Sequence, residues 1–221
     1  MKERINEIRK GFFEKKHFAV RLIAVMVAVI LMGFSISWVI LADLGTDPCS
    51  LMNIAISKTL GMTLGNWQAL LNIILLVVVV ICGAGNLGFG TIANMFLVGY
   101  SVDFFSWIWR KVLPEGLFDF WGVRIAVVIP ALVLFVLAAA VYIDMDIGTA
   151  PYDAIPIIIS RRLPNLPFRG IRIAFDSVVT VIGILFGGKP GIVTILVVLT
   201  LGPVISWVSG MINKKWNFFD I

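Results

Sequence analysis

Hydrophobic residues dominate six long stretches of the chain, and short polar segments separate them. The stretches cover residues 18–42, 66–82, 90–109, 121–143, 171–187 and 191–212. Because a helix rises about 1.5 Å per residue, about 20 apolar residues cross the hydrocarbon core of a bilayer. Two further apolar segments, Pro48–Leu60 and residues 151–163, are shorter and more polar. The pattern predicts an all-α membrane protein of about eight helices, with six full spans and two short helices.

The second half of the chain repeats the first at an offset of 103 positions. Asp-Leu-Gly-Thr-Asp-Pro at residues 43–48 matches Asp-Ile-Gly-Thr-Ala-Pro at residues 146–151. Basic residues at predicted helix ends match at the same offset in three pairs: Arg21 with Arg124, Lys58 with Arg161, and Lys111 with Lys214. Such internal similarity predicts a tandem duplication of a four-helix unit. The predicted boundaries are 18–112 for the first repeat, 113–120 for a linker and 121–214 for the second repeat.

Basic residues concentrate before the first apolar stretch. The chain carries 18 Lys and Arg residues and a net charge of +5, and seven of the 18 lie in the first 21 residues. Residues 1–17 are predicted to form a basic amphipathic segment on the cytoplasmic membrane surface, with a frayed soluble tail as the alternative, and residues 215–221 a cytoplasmic tail. The first apolar stretch is longer than that of a signal peptide and is interpreted as an uncleaved span.

The matched basic pairs decide between two membrane topologies. The positive-inside rule favours parallel copies with eight crossings, because every matched pair then faces the cytoplasm and only Lys189 faces out. In that arrangement the short helices are a difficulty, since the ten steps from Pro48 to Lys58 span only about 15 Å. The alternative has six spans, makes the two short helices re-entrant and inverts one repeat against the other. The sequence favours the first arrangement.

The doubled Asp-x-Gly-Thr-x-Pro motif suits a sharp corner before a helix. Glycine permits a turn at positive φ, threonine can cap a helix, and proline fits the first helical turn. The functional interpretation adds that both short helices aim their positive N-terminal ends into one outer vestibule, where the aspartates contact a cation or a coupling proton. The predicted binding residues are Asp43, Gly45, Thr46, Pro48, Asp146, Gly148, Thr149 and Pro151.

Four further polar residues in predicted helices are secondary candidates, because ionisable groups inside spans often mark functional sites. Asp176 follows Arg172 by four residues and is predicted to pair with it on one helix face. Asp153 falls near the third residue of a short helix, where a carboxylate can cap free N–H groups. Asn72 is predicted to hydrogen-bond across helices, and Asp103 has no assigned role.

The sequence offers only isolated carboxylates for catalysis, so an intramembrane enzyme is the third hypothesis and the chain is not predicted to be an enzyme. His17 is the only histidine and lies in the basic segment; no cysteine and histidine cluster has the spacing of metal ligands. No cofactor, metal or nucleic acid is predicted. Residues 83–88 spell G-x-G-x-x-G, but an apolar span precedes them, so they are interpreted as a turn between helices.

The doubled motif, together with the length and the span pattern, resembles the YczE/YitT family of bacterial membrane proteins, and its YczE-like branch in particular. The resemblance implies a location in the bacterial cytoplasmic membrane and supplies no reaction. The functional hypothesis is a permease, or a membrane protein that binds a small solute or an ion between the two repeats. The alternative is an accessory or scaffold protein that contacts a membrane protein partner or a second copy. Contact with the lipid bilayer is expected in either case.

Overall fold

The fold is built from helices. The computed structural model describes residues 16–82 and 87–215, and these residues contain α-helices, one 3-10 turn and no strand. The eight α-helices are α1 Phe18–Ala42, α2 Pro48–Leu60, α3 Leu64–Cys82, α4 Phe89–Val112, α5 Trp121–Asp144, α6 Pro151–Arg162, α7 Phe168–Leu185 and α8 Ile192–Lys215; the 3-10 turn is Leu117–Asp119. The predicted all-α class and helix number are confirmed. Most of the predicted amphipathic segment, the tail after residue 215 and the turn at 83–86 lie outside the described residues.

Four of the helices are long and apolar enough to cross a bilayer. Within the described residues they are Phe18–Ala42, Leu64–Cys82, Trp121–Asp144 and Ile192–Ile212. The sequence of α4 includes Asp103, and that of α7 includes Arg169, Arg172 and Asp176, so these two helices are less apolar than the four. Large side chains on the outside of the long helices remain exposed, including Ile23, Ile81 and Ile129. An exposed apolar surface of this extent suits lipid rather than water.

Helices α1 and α5 pack against each other and run in opposite directions. At the start of α1, Arg21 Nη1 donates to the carbonyl of Met145, just beyond the end of α5, at 2.8 Å. At the end of α1, Val39 and Ala42 share an apolar cluster with Val128 near the start of α5. We call the end of the fold that contains Arg21 and Met145 the Arg21 face, and the opposite end the Leu44 face.

This direction overturns the preferred sequence prediction of parallel copies, in which both helices begin on the same side. The matched basic residues Arg21 and Arg124 therefore lie at opposite faces, and local contacts hold Arg124 near the start of α5. Arg124 Nε donates to the carbonyl of Phe118, and its guanidinium lies 5.9 Å from the ring of Trp121. The relative direction agrees instead with the alternative in which one repeat is inverted.

The remaining long helices also run in opposite directions in the two halves of the chain. Helix α4 runs parallel to α1, since the rings of Phe18 and Phe89 are 5.4 Å apart near one end and Trp109 Nε1 donates to Ser37 Oγ at 2.9 Å toward the other. Helix α8 runs parallel to α5, because it begins beside Leu44 and its Ser209 reaches Asp144. Helices α3 and α7 lie antiparallel to α4 and α8, which follow them in the chain.

The two short helices begin in the interior and end at opposite faces. After α1 the chain folds back, so that Asp47, which precedes α2, lines a cavity together with Ile36 in the preceding helix. Helix α2 then runs along α7 to the Leu44 face, where Thr59 Oγ1 donates to the carbonyl of Phe186 at 3.3 Å. Helix α6 runs along α3 toward the Arg21 face, and Ile158 packs there with Leu87 and Val79.

The starts of α2 and α6 meet near the centre of the molecule. Tyr152, at the start of α6, shares one buried apolar cluster with Met52 and Ile56 of α2. Each short helix begins with a buried proline, Pro48 or Pro151. Proline suits this position because the N–H group that it lacks would have no hydrogen-bond partner within the helix. Thirteen residues of α2 rise only about 20 Å, so neither short helix is long enough to cross a bilayer alone.

Candidate functional site

The first motif packs against the start of α8, in the other half of the chain. The backbone N–H of Val193 donates to the carbonyl of Leu44 at 3.1 Å. Gly191 approaches so closely that a Cβ atom at this position would lie 2.0 Å from the Leu44 oxygen. Gly45 adopts a φ of 96°, which favours glycine, and a Cβ there would lie 2.6 Å from Thr194 Oγ1.

The second motif makes the corresponding contacts with the start of α4. The backbone N–H of Gly90 donates to the carbonyl of Ile147 at 2.8 Å, and Thr91 Oγ1 donates to the carbonyl of Thr149 at 2.9 Å. Gly148 has a φ of 133°, and a Cβ on it would lie 2.6 Å from Thr91 Oγ1. The glycines of both motifs therefore allow the turn in each half of the chain to pack closely against the start of a helix in the other half.

The two corners lie at opposite faces, so the predicted common vestibule is wrong. Asp43 and Asp146 both have left-handed backbone conformations, with φ values of 50° and 49°, and both side chains are exposed. Asp146 follows Met145, which is bonded to Arg21, and Asp43 follows the end of α1; the helical rise from Arg21 to Asp43 is about 33 Å. Because α5 runs antiparallel to α1, repeated motifs are carried to opposite ends. Ligand binding by these residues stays a prediction.

The polar residues after Gly45 turn inward to a small cavity. Thr46 is buried, and Asp47 Oδ2 accepts a hydrogen bond from the backbone N–H of Ser50 at 2.9 Å, which caps α2. The cavity measures about 10 Å³, close to the minimum that holds one water molecule, and it is lined by Ile36, Val39, Thr46, Asp47, Leu132, Phe135 and Val197. In the second half of the chain, Tyr142 occupies the position that corresponds to Val39. Its side chain is larger and buried, and its hydroxyl donates to the carbonyl of Gly90 at 3.4 Å.

Two of the secondary candidates have structural partners. Asp103 accepts hydrogen bonds from the backbone N–H groups of Leu64 and Gly65, at 3.2 and 2.7 Å, and so caps the start of α3 from the neighbouring helix. Asn72 Nδ2 donates to the carbonyl of Met95 at 3.3 Å. The predicted hydrogen bond of Asn72 across helices is therefore confirmed, and Asp103 gains the role that sequence analysis did not assign.

The other two secondary candidates belong to one charged network. Arg172 Nε donates to Asp176 Oδ2 at 2.9 Å, which confirms the predicted pairing along α7. Arg172 Nη1 donates to Asp153 Oδ1 at 2.7 Å. Asp153 was expected to cap its own helix, but its carboxylate lies on Arg172 instead because the guanidinium of the neighbouring helix is a charged donor.

Tyr152 completes this network and was missed by sequence analysis. Its hydroxyl donates to Asp176 Oδ1 at 2.8 Å, and its ring lies 5.5 Å from the Arg172 guanidinium carbon. The sequence signal for Tyr152 is its place beside Asp153 at a predicted helix start, where Cys49 corresponds to it at the offset of 103 positions. We call Tyr152, Asp153, Arg172 and Asp176 the Arg172 network.

The Arg172 network joins α6 and α7 where the starts of the two short helices meet. Phe175 packs on Tyr152 with a ring separation of 5.0 Å, and Cys49 of α2 lies in the same apolar cluster. Ionisable groups placed among apolar helices are costly unless paired and often mark ligand or ion pathways. The network is therefore the strongest candidate site among the described residues.

Long apolar helices with lipid-suited exteriors and a paired charge network inside define the chain as a helical integral membrane protein. Residues 19–210 match DUF6198, a family of unknown function, and the chain belongs to that family. The YczE-like resemblance expected from the sequence is confirmed by the relatives that follow.

Three proteins of known sequence are similar to the chain over most of its length. YyaS of Bacillus subtilis strain 168 is 27% identical over 78% of this chain and 84% of its own. A protein of Haemophilus influenzae is 24% identical over 85% of this chain and 82% of its own. YczE of Bacillus subtilis strain 168, named an uncharacterized membrane protein, is 23% identical over 85% of each chain. No solved structure matches the chain significantly.

Proposed function

We propose that the protein is a small-solute permease of the bacterial cytoplasmic membrane. In this proposal α1, α3, α4, α5, α7 and α8 cross the membrane, and α2 and α6 enter it from opposite faces. The observation that carries the proposal is the meeting of the two short helix starts beside the Arg172 network. Interrupted helices of inverted repeats place substrate sites near the bilayer midplane in several transporter folds, and the comparison is one of architecture only.

The paired corner contacts support an inverted tandem duplication. Leu44 with Val193 and Ile147 with Gly90 are hydrogen-bonded pairs whose members correspond at the repeat offset. Each pair joins one repeat to the other. A duplicated unit that packs about a twofold axis in the membrane plane makes each such contact twice, once at each face.

The distribution of basic residues supports an orientation with the Arg21 face in the cytoplasm. Only five of the Lys and Arg residues belong to helix ends or loops of the Leu44 face: Lys58, Arg110, Lys111, Arg124 and Lys189. Arg172 lies inside the fold, and the other Lys and Arg residues of the described helices and loops lie at the Arg21 face. By the positive-inside rule both termini are then cytoplasmic.

Cysteine labelling tests this topology. In a Cys49→Ala, Cys82→Ala background, a membrane-impermeant maleimide is expected to label Lys58→Cys in intact cells and Arg161→Cys only after permeabilisation. Both native side chains are exposed, and they end short helices that run to opposite faces. Lys111→Cys serves as a second marker of the Leu44 face. Labelling of Lys58→Cys and Arg161→Cys from the same side contradicts the inverted arrangement.

Transport is tested with purified protein in liposomes. Uptake of lactate, choline and sorbitol provides an anionic, a cationic and a neutral probe. We expect saturable uptake of one class above that of protein-free liposomes, and loss of it in the Arg172→Gln, Asp176→Asn double variant. Those two substitutions copy the first repeat, which has Gln68 and Asn72 at the corresponding positions.

Two other outcomes would change the location of the site or the proposed function. Loss of uptake in an Asp43→Asn, Asp146→Asn variant, with full uptake in the network variant, locates the site at the corners, as the sequence predicted. Uptake equal to that of protein-free liposomes for every probe class contradicts the permease. Copurification of a membrane protein partner in that case supports the accessory or scaffold alternative.

A further inference from the structure

The two carboxylates bound to Arg172 are held very differently. Asp176 receives one donor on each oxygen, from Tyr152 and from Arg172, and its side chain is only 6% exposed. Asp153 has a hydrogen bond to Arg172 through Oδ1, and its side chain is 39% exposed. Exposed ion pairs contribute little stability, because water competes for both partners. The bond between Arg172 and Asp153 is therefore the easier of the two to exchange.

The exchangeable partner determines the charge of a replacement ligand. A guanidinium has five N–H donors in a planar fork that matches a carboxylate, and only Nε of Arg172 is committed to the buried Asp176. A ligand carboxylate that replaces Asp153 keeps Arg172 paired and releases Asp153 toward the exposed side. A cationic ligand would instead lie beside the positive charge of Arg172 and would have to compete with its guanidinium for Asp153 or Asp176.

This arrangement occurs in only one of the two repeats. Ser50, Gln68 and Asn72 occupy the positions in the first repeat that correspond to Asp153, Arg172 and Asp176. The amide of Asn72 is already bonded to the Met95 carbonyl, and the backbone of Ser50 is capped by Asp47. The charged groups are therefore an addition to the shared corner architecture, and the described residues contain one such network.

We infer that Arg172 binds the carboxylate of a small anionic solute, and that Asp153 is a tethered competitor that occupies the same position when no ligand is bound. The inference names the substrate class of the permease proposed above and rests on that proposal for its role in transport. Binding itself does not require transport, so the two can fail separately.

Binding to the full chain purified in detergent tests the inference, with lactate as the anionic probe and choline as the cationic probe. When a binding-competent state is populated about one-tenth of the time, the apparent affinity is about tenfold weaker than the intrinsic affinity. Removal of the competitor in Asp153→Asn is therefore expected to lower the apparent Kd for lactate by about tenfold. The Arg172→Gln, Asp176→Asn variant is expected to lose lactate binding while remaining folded, and choline is expected not to bind any of the proteins.

The matched control is the Asp119→Asn variant, which changes an exposed aspartate of the 3-10 turn. This variant is expected to bind lactate as the unsubstituted protein does. An unchanged or higher Kd for lactate in Asp153→Asn overturns the role of Asp153. Lactate binding that survives in the double variant, or choline binding that depends on Asp153, overturns the anion site. Transport of choline or sorbitol without lactate binding overturns the inference and leaves the proposed permease intact. Lactate binding without transport of any probe supports the inference and contradicts the permease.

Discussion

Replacement of Gly191 by alanine is expected to destabilise the protein by roughly 3 kcal/mol or more, at the upper end of the usual cost of overpacking. The added methyl group would lie 2.0 Å from the Leu44 carbonyl oxygen and 2.6 Å from the Gly45 nitrogen. Both neighbours are backbone atoms, so no rotation of a side chain can relieve the overlap. The corner must move away from α8, and the hydrogen bond between Val193 and Leu44 is lost.

The effect is measured as the melting temperature of the detergent-purified protein, followed by tryptophan fluorescence, and as its accumulation in membranes. Gly202→Ala is the matched control, since a Cβ there meets no atom within 4 Å and the residue lies in α8. Alanine in place of glycine within a helix is expected to stabilise by up to about 1 kcal/mol. Equal melting of the two variants would show that the first corner does not seat on α8 as described.

Replacement of Arg172 by methionine is the second large effect, with an expected loss of about 3–5 kcal/mol. The substitution leaves Asp176 inside the fold with its Oδ2 acceptor unpaired, and removes the donor of Asp153. Methionine approximates the apolar part of the arginine side chain, so most of the loss comes from the unpaired carboxylate rather than from a cavity. The same melting measurement reports it.

A matched pair of variants separates the charge effect from packing. Arg162→Met removes an exposed arginine at the end of α6 and is expected to change stability by less than about 0.5 kcal/mol. The Arg172→Gln, Asp176→Asn variant removes both charges and is expected to recover most of the stability lost in Arg172→Met. If the double variant melts at or below the single variant, the pairing of Arg172 with Asp176 is not the source of the effect.

Sequence pattern predicted the helices well because their signals are local. The apolar stretch 18–42 coincides with α1, and the segment beginning at Pro48 coincides with α2, whose start is set by a proline and whose end is set by Gly61. The pairing of Arg172 with Asp176 was also predictable, because residues four apart on a helix share a face wherever the helix lies.

The candidate site was only partly predictable, because its members come together from separate helices. Tyr152 and Asp176 are 24 residues apart, and Asp153 and Arg172 are 19 apart. Nothing in the periodicity of α6 or α7 states how the two helices are rotated about their axes when they pack. The sequence therefore indicated each aspartate only as a cap or as a local partner, and it did not indicate Tyr152.

The sequence by itself determined the helical class, the positions of the helices to within about three residues, the glycine-rich corners and the family. Each depends on hydrophobic runs, caps and motifs that act within a few residues. Only the tertiary structure decided the direction of the second half, the separation of the two corners and the assembly of the Arg172 network. Those features depend on contacts such as Arg21 with Met145, which are 124 residues apart. The charge at a helix end allows either direction, and close packing of backbone at glycine corners selects one.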